Sequence, residues 1–108
     1  MLLGDNILIK DIPQEERPRE RLLRYGAQVL SDAELLAVLI RTGTRSESAL
    51  VLAQRILKGD GGKSGLAYLI DSTIEELSNI KGIGTAKAVQ LKAAVELGRR
   101  ISSYSWRR

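Results

Sequence analysis

The chain has no Cys, no His and no Phe, only two Pro, one Trp and three Tyr. Without Cys or His there can be no disulfide, no Cys/His zinc site, no thiol nucleophile and no imidazole acid–base chemistry. The lack of Cys fits a reducing compartment, and a cytoplasmic location is expected. No apolar run approaches the roughly 20 residues that span a bilayer, so no membrane partner is expected. Met1-Leu2-Leu3 gives way at once to Gly4-Asp5-Asn6, which reads as no signal peptide. With so few aromatics, the core must come from Leu, Ile, Val and Ala, which suit close helix packing.

What is present is 108 residues, enough for one small domain, with 44 % hydrophobic residues and a net charge of +4. The charge is unevenly placed. Residues 1–71 carry ten basic and ten acidic side chains; residues 72–108 carry seven and three, the whole of the excess. A basic C-terminal third suggests a polyanionic partner, whereas an even spread would suggest only a solvated surface.

Asn6–Ile12 alternates weakly and ends at Pro13, which predicts an extended arm. Pro18 opens a short Arg-rich helix that Gly26 stops, with Leu22, Leu23 and Tyr25 to bury. Ser31-Asp32-Ala33-Glu34 is a capping box, followed by Leu35, Leu36, Leu39 and Ile40 at helical spacing. The stretch Arg41–Arg45 breaks that helix. Another is expected from Ser46-Glu47, carrying Leu50, Leu52, Ala53, Ile56 and Leu57 up to Gly59.

Ser64–Ile70 predicts a connecting helix, and Ser72-Thr73-Ile74-Glu75 a second capping box that opens a helix to about Asn79. After Gly82-Ile83-Gly84, Thr85 is the expected N-cap of a last helix. That helix should bury Ala88, Leu91, Ala94, Val95 and Gly98. Ser102–Arg108 reads as a tail. The fold class is therefore all-α, a small bundle.

Shifting the chain by 41 residues lays Leu36 on Leu77, Leu39 on Ile80, Gly43 on Gly84, Thr44 on Thr85, Leu50 on Leu91 and Ala53 on Ala94. The shared Gly-Thr at the turn predicts a duplicated helix–turn–helix unit. Its parts would be a first unit at 31–58, a connector at 59–71 and a second unit at 72–101. Residues 1–30 would be the arm and short helix, and 102–108 a linker.

Several familiar chemistries fail on spacing. A dinucleotide fingerprint needs a small residue where Lys87 stands, and a strand where 73–79 reads as helix. A P-loop ending at Gly62-Lys63-Ser64 would need Gly at Leu57. The carboxylates Asp32, Glu34, Glu75 and Glu76 are explained by helix starts.

Gly82-Ile83-Gly84 remains. A helix N-terminus offers unpaired amides and partial positive charge, which together hold a phosphate without any side chain. Ile83 would anchor the turn, and Lys81 and Lys87 would add local charge. Such contacts hold a nucleic-acid backbone without reading its sequence.

Leu77-x-x-Ile80-Lys81-Gly82-Ile83-Gly84-x-x-x-Ala88-x-x-Leu91 resembles the helix-hairpin-helix motif of DNA repair and recombination proteins. More broadly, Ile9–Pro13, Glu16–Leu23, Leu30–Ala37 and Arg41–Thr44 resemble the N-terminal region of bacterial RadC family proteins, over about residues 7–101. The resemblance implies two helix-hairpin-helix units joined by a short connector helix, binding DNA non-specifically and without catalysis. It implies phosphate contacts from the main-chain N–H groups of Gly82, Gly84, Ala86 and Lys87, and the expected DNA-binding stretch also takes in Lys81, Ile83 and Thr85. It also implies a monovalent cation, Na+ or K+, at the carbonyls of Ser78, Ile80 and Ile83, and no other cofactor.

The first turn departs from Gly-hydrophobic-Gly, with Thr42-Gly43-Thr44 instead, and leaves Arg41, Arg45 and Ser46 able to reach phosphate. RadC family chains also carry a C-terminal JAB/MPN metalloprotease-like domain with a His-rich metal motif, so the implied partner in cis is a domain this His-free chain lacks. The alternative reading is a protein-interaction scaffold that positions that domain. The sequence carries no signal for an oligomeric state.

Overall fold

The computed structural model describes residues 17–105, together with all but the last of their side chains. The expected arm at 6–12, its Pro13 and the last three residues of the expected tail lie outside these. Among the described residues six α-helices follow one another: α1 Pro18–Tyr25, α2 Asp32–Ile40, α3 Ala49–Lys58, α4 Gly65–Asp71, α5 Ile74–Ser78 and α6 Thr85–Ser105. A 3-10 turn, Ala27–Val29, joins α1 to α2. No strand occurs among the described residues, and the fold is an all-α bundle.

Local chemistry sets most boundaries. Pro18 opens α1, and Gly26 closes it at φ +91° with its amide on Leu22 O. The Ser31 hydroxyl accepts from Glu34 N at 3.1 Å while Glu34 Oε1 accepts from Ser31 N at 2.9 Å. This reciprocal cap and the Arg21 guanidinium, 2.9 Å from Glu34 Oε2, hold the Glu34 carboxyl below its usual range. The same ion pair docks α1 on α2. Leu22 is half-buried, but Leu23 and Tyr25 are exposed, against expectation.

The second capping box forms one residue later than expected. Thr73 and Glu76 make it, and Ser72 is instead the buried C-cap of α4, its hydroxyl donating to Tyr68 O at 2.5 Å. α3 also starts later than expected. Its N-cap is Ser48, whose hydroxyl accepts from Val51 N.

One core joins the elements: Leu36, Ala37 and Ile40 from α2, Leu52, Ala53 and Ile56 from α3, Leu69, Leu77, Ile83, Ala88 and Leu91. Leu36 and Leu77, equivalent under the 41-residue shift, are both buried. The equivalence ends along α6. Ile56 is fully buried, whereas Leu97 is 60 % exposed. Ala94 and Val95 are only half-buried and Gly98 is exposed, because the last turns of α6 run past the bundle. The helix also continues through Ser105, where a tail was expected from Ser102. Glu96 supports this stretch by pairing with Arg99 and Arg100, which pulls its carboxyl to about 2.

Candidate functional site

The turn between α5 and α6 is built from main-chain bonds. Ile80 N donates to Leu77 O, and Ile83 N to Ile80 O at 2.9 Å. Gly82 occupies the third position of that last turn with φ +92°, a conformation that favours glycine. The turn aims Ile83 into the core, where it is 2 % exposed.

Ala88 N donates to Gly84 O at 3.0 Å, so Gly84 is the N-cap of α6 and Thr85 its first residue, not the cap. Glycine brings no capping side chain. The amides of Gly84, Thr85, Ala86 and Lys87 therefore have no main-chain acceptor among the described residues.

The two glycines of this turn have different surroundings. A Cβ on Gly82 would lie 2.7 Å from Leu52 Cδ2 and 3.1 Å from Thr44 Cγ2. Gly82 is thus bare because the first turn packs on it. A Cβ on Gly84 would meet nothing within 4 Å, and its φ is not left-handed. No neighbour among the described residues accounts for glycine at 84, where a side chain would stand in open space.

The turn between α2 and α3 satisfies more of its own amides. Arg41, at φ +76° and ψ −53°, centres a tight turn closed by Thr42 N on Ile40 O at 2.9 Å, a strained geometry for a residue with a side chain. Arg41 is the equivalent of Gly82 under the 41-residue shift, and both have positive φ. Gly43, the equivalent of Gly84, is crowded: its Cβ would be 1.9 Å from Glu47 O. Thr44 N donates to that same oxygen at 2.8 Å. Thr44 Oγ1 accepts from the amides of Ser46 and Glu47. Where α6 starts with free amides, the first turn engages two of the corresponding four, those of Thr44 and Ser46.

The two turns lie together. Besides the Thr44 and Leu52 contacts at Gly82, Arg55 Nη1 donates to Lys81 O at 2.8 Å while Nη2 pairs with Glu47. Gln90, one turn into α6, donates to Leu39 O. Of the expected site residues, Arg41, Thr42, Thr44, Arg45, Ser46, Lys81, Gly84, Thr85 and Ala86 are exposed, Gly43, Gly82 and Lys87 half-buried, and Ile83 buried.

Among the described residues no carboxylate pairs with Arg41, Arg45, Lys81 or Lys87. Elsewhere the picture is mixed: Arg17, Arg19 and Lys58 likewise have no carboxylate partner among the described residues, whereas other cations are engaged. Lys63 pairs with Asp71, and Lys92 Nζ caps the C-terminus of α4 at Leu69 O and Ile70 O. Of the three carbonyls expected to hold a monovalent cation, that of Ile80 is already shared with Ile83 N. No group of His, Cys, Asp and Glu suited to a metal ion occurs among the described residues.

Sequence reasoning missed Arg55, Glu47 and Gln90. Arg55 lies eight residues from Glu47 and 26 from Lys81, so no local spacing signals the tie. No described helix is long and apolar enough to cross a membrane.

The chain is 59 % identical to a UPF0758 protein of Caldanaerobacter subterraneus over 96 residues, covering 89 % of this chain and 40 % of that protein. It is 57 % identical to one of Moorella thermoacetica over 102 residues, covering 94 % and 43 %, and 59 % identical to one of a Geobacillus species over 99 residues, covering 92 % and 42 %. It thus spans about two fifths of the length of these curated relatives. No solved structure matches it. The family model for the UPF0758 N-terminal region matches residues 9–89, most of the sequence, and the chain belongs to the UPF0758 family.

Proposed function

We propose that this chain is a non-catalytic, sequence-independent DNA-backbone-binding module of a RadC-like protein associated with DNA repair or recombination. In this reading α2–α3 and α5–α6 are tandem helix-hairpin-helix units. The observation that carries it is the start of α6: four amides without acceptors, under a glycine that nothing among the described residues requires to be bare. A main-chain donor cluster approached without a Cβ suits a phosphate oxygen. Lys81 and Lys87 supply unpaired charge beside it, and Arg41 and Arg45 extend that charge across the abutting turn. Such contacts grip phosphate and leave bases unread. Ser78, Ile80 and Ile83 offer neutral oxygens of the kind hard cations take, and Na+ or K+ there would brace the turn.

Binding should be weak, about 10⁻⁴ to 10⁻⁶ M at physiological salt. With about four phosphates contacted, log K should fall against log salt with a slope of about −3 to −4. Anisotropy of a short duplex across a salt series checks this. Absent binding at low salt, or affinity indifferent to salt, contradicts the reading.

One observation favours a second role. Leu97, Ile101 and Tyr104 form an exposed stripe on the part of α6 that leaves the bundle. In the longer relatives this face would seat the remaining chain, which we take for the JAB/MPN domain in cis. Charged substitutions on the stripe should then leave DNA affinity unchanged while loosening that domain, as read by limited proteolysis of the full-length protein.

A further inference from the structure

We infer that Arg55 is a positioning residue, which with Glu47 locks the two turns into a single DNA-facing surface; this rests on the DNA-binding reading above. Arg55 projects from α3, the second helix of the first unit, yet its guanidinium reaches the crest of the second turn. Nη1 donates to Lys81 O at 2.8 Å and Nη2 pairs with the Glu47 carboxylate. One planar fork thus holds a carbonyl of one turn and a side chain of the other.

Glu47 is itself the keystone of the first turn. Its carbonyl accepts Thr44 N, and its amide donates to Thr44 Oγ1. Holding its carboxylate therefore holds Thr44, whose methyl lies against the bare face of Gly82. The two units pack through α2 on α6, and the connector helix α4 packs on both α3 and α6. At the turns themselves the join is the Arg55 fork and the Gly82 contacts, with Gln90 on Leu39 O beside them. Without the fork, the segment bearing Arg41 and Arg45 loses its fixed placement beside Lys81 and the α6 amides.

This role separates from simple charge by its sign. Arg55 and Glu47 neutralise each other, so the pair adds no net attraction for a polyanion. Glu47→Gln raises the net charge by one, and electrostatics alone would tighten DNA binding. Loss of position would weaken it.

The test is anisotropy of a short duplex with the whole chain, comparing wild type, Glu47→Gln and Arg55→Lys over a salt series, with thermal unfolding alongside. Glu47→Gln is expected to weaken binding about fivefold to tenfold. It should also flatten the salt slope by about two units as the Arg41 and Arg45 contacts are lost. Arg55→Lys keeps the charge and loses the fork, so a similar weakening is expected. Equal or tighter binding by Glu47→Gln, or wild-type affinity in Arg55→Lys, overturns the inference.

A second arm needs no DNA. In amide NMR spectra of the free chain, Glu47→Gln should shift resonances in both 44–47 and 80–84. Shifts confined to the first turn overturn the tie, whatever the affinities. No binding by wild type at low salt overturns the DNA reading and any role for Arg55 on DNA, while shifts in both turns would still uphold the tie between them.

Discussion

The α2–α3 turn and the α5–α6 turn occupy equivalent places in a duplicated pattern, yet they solve the same problem differently. In the second turn glycine supplies the positive φ at 82, Ile83 fills the core, and α6 begins directly with free amides under Gly84. In the first, Arg41 takes the positive φ, exposed Thr42 stands where Ile83 would be, and Thr44 gathers the amides of Ser46 and Glu47. The first turn thus stabilises itself and keeps side-chain charge; the second leaves its main chain available. In the proposed reading this divergence gives one backbone clamp and one charged flank.

Equivalent substitutions in the two turns should break this comparison most visibly. Ile83→Ala removes a core side chain and should cost about 2–5 kcal/mol in urea unfolding, against about 0.5 kcal/mol or less for exposed Thr42→Ala. Gly43→Ala forces a Cβ onto the Glu47 carbonyl and should cost about 1–3 kcal/mol, with loss of the first turn's amide pattern. Gly84→Ala has open space and should cost less than about 1 kcal/mol. Gly84→Val should nevertheless weaken every DNA sequence alike, read by anisotropy, because the bulk sits over the amides.

Arg41→Gly should act in the reverse sense. Relief of its positive φ should stabilise the fold by about 1 kcal/mol, while the DNA salt slope falls by about one unit. A stabilised variant that binds as well as wild type would remove Arg41 from the interface.

The smallest effect concerns pH. Glu34 and Glu96 are held below their ordinary values, Glu34 by the Ser31 amide and Arg21, Glu96 by Arg99 and Arg100. A depressed carboxylate stabilises the fold above its unfolded value of about 4.5 and loses that contribution as pH falls toward its folded value, about 2 for Glu96. The stability difference between wild type and Glu34→Gln should therefore be full at pH 6 and shrink below about 4.5, by urea unfolding at each pH. Both groups lie away from the turns, and the chain has no His. DNA affinity should accordingly stay flat from about pH 6 to 8.

Much of the fold was legible. The Ser31 box, Pro18, Gly26, Gly59 and the 41-residue shift anticipate the helices and their order because each acts within one turn of chain. Ser72 misled, since it and Thr73 both precede a Glu by three residues, and only burial against Tyr68 separates them. The continuation of α6 was missed because 102–105 has no apolar period alone; it joins Leu97 and Ile101 in one stripe only when read across the boundary. At the site, Gly82 and Gly84 look alike in sequence. Their different roles depend on Thr44 and Leu52, brought close from a distant part of the chain. The Glu47–Arg55–Lys81 tie is invisible for the same reason.

The most direct test of the central claim is an amide NMR titration of the chain with a short DNA duplex at low salt. The account predicts the largest shifts at Gly84, Thr85, Ala86 and Lys87, with smaller ones at Thr44, Ser46 and Glu47, whose amides are already bonded. Silence at 84–87, or shifts that peak at 44–47, would contradict it.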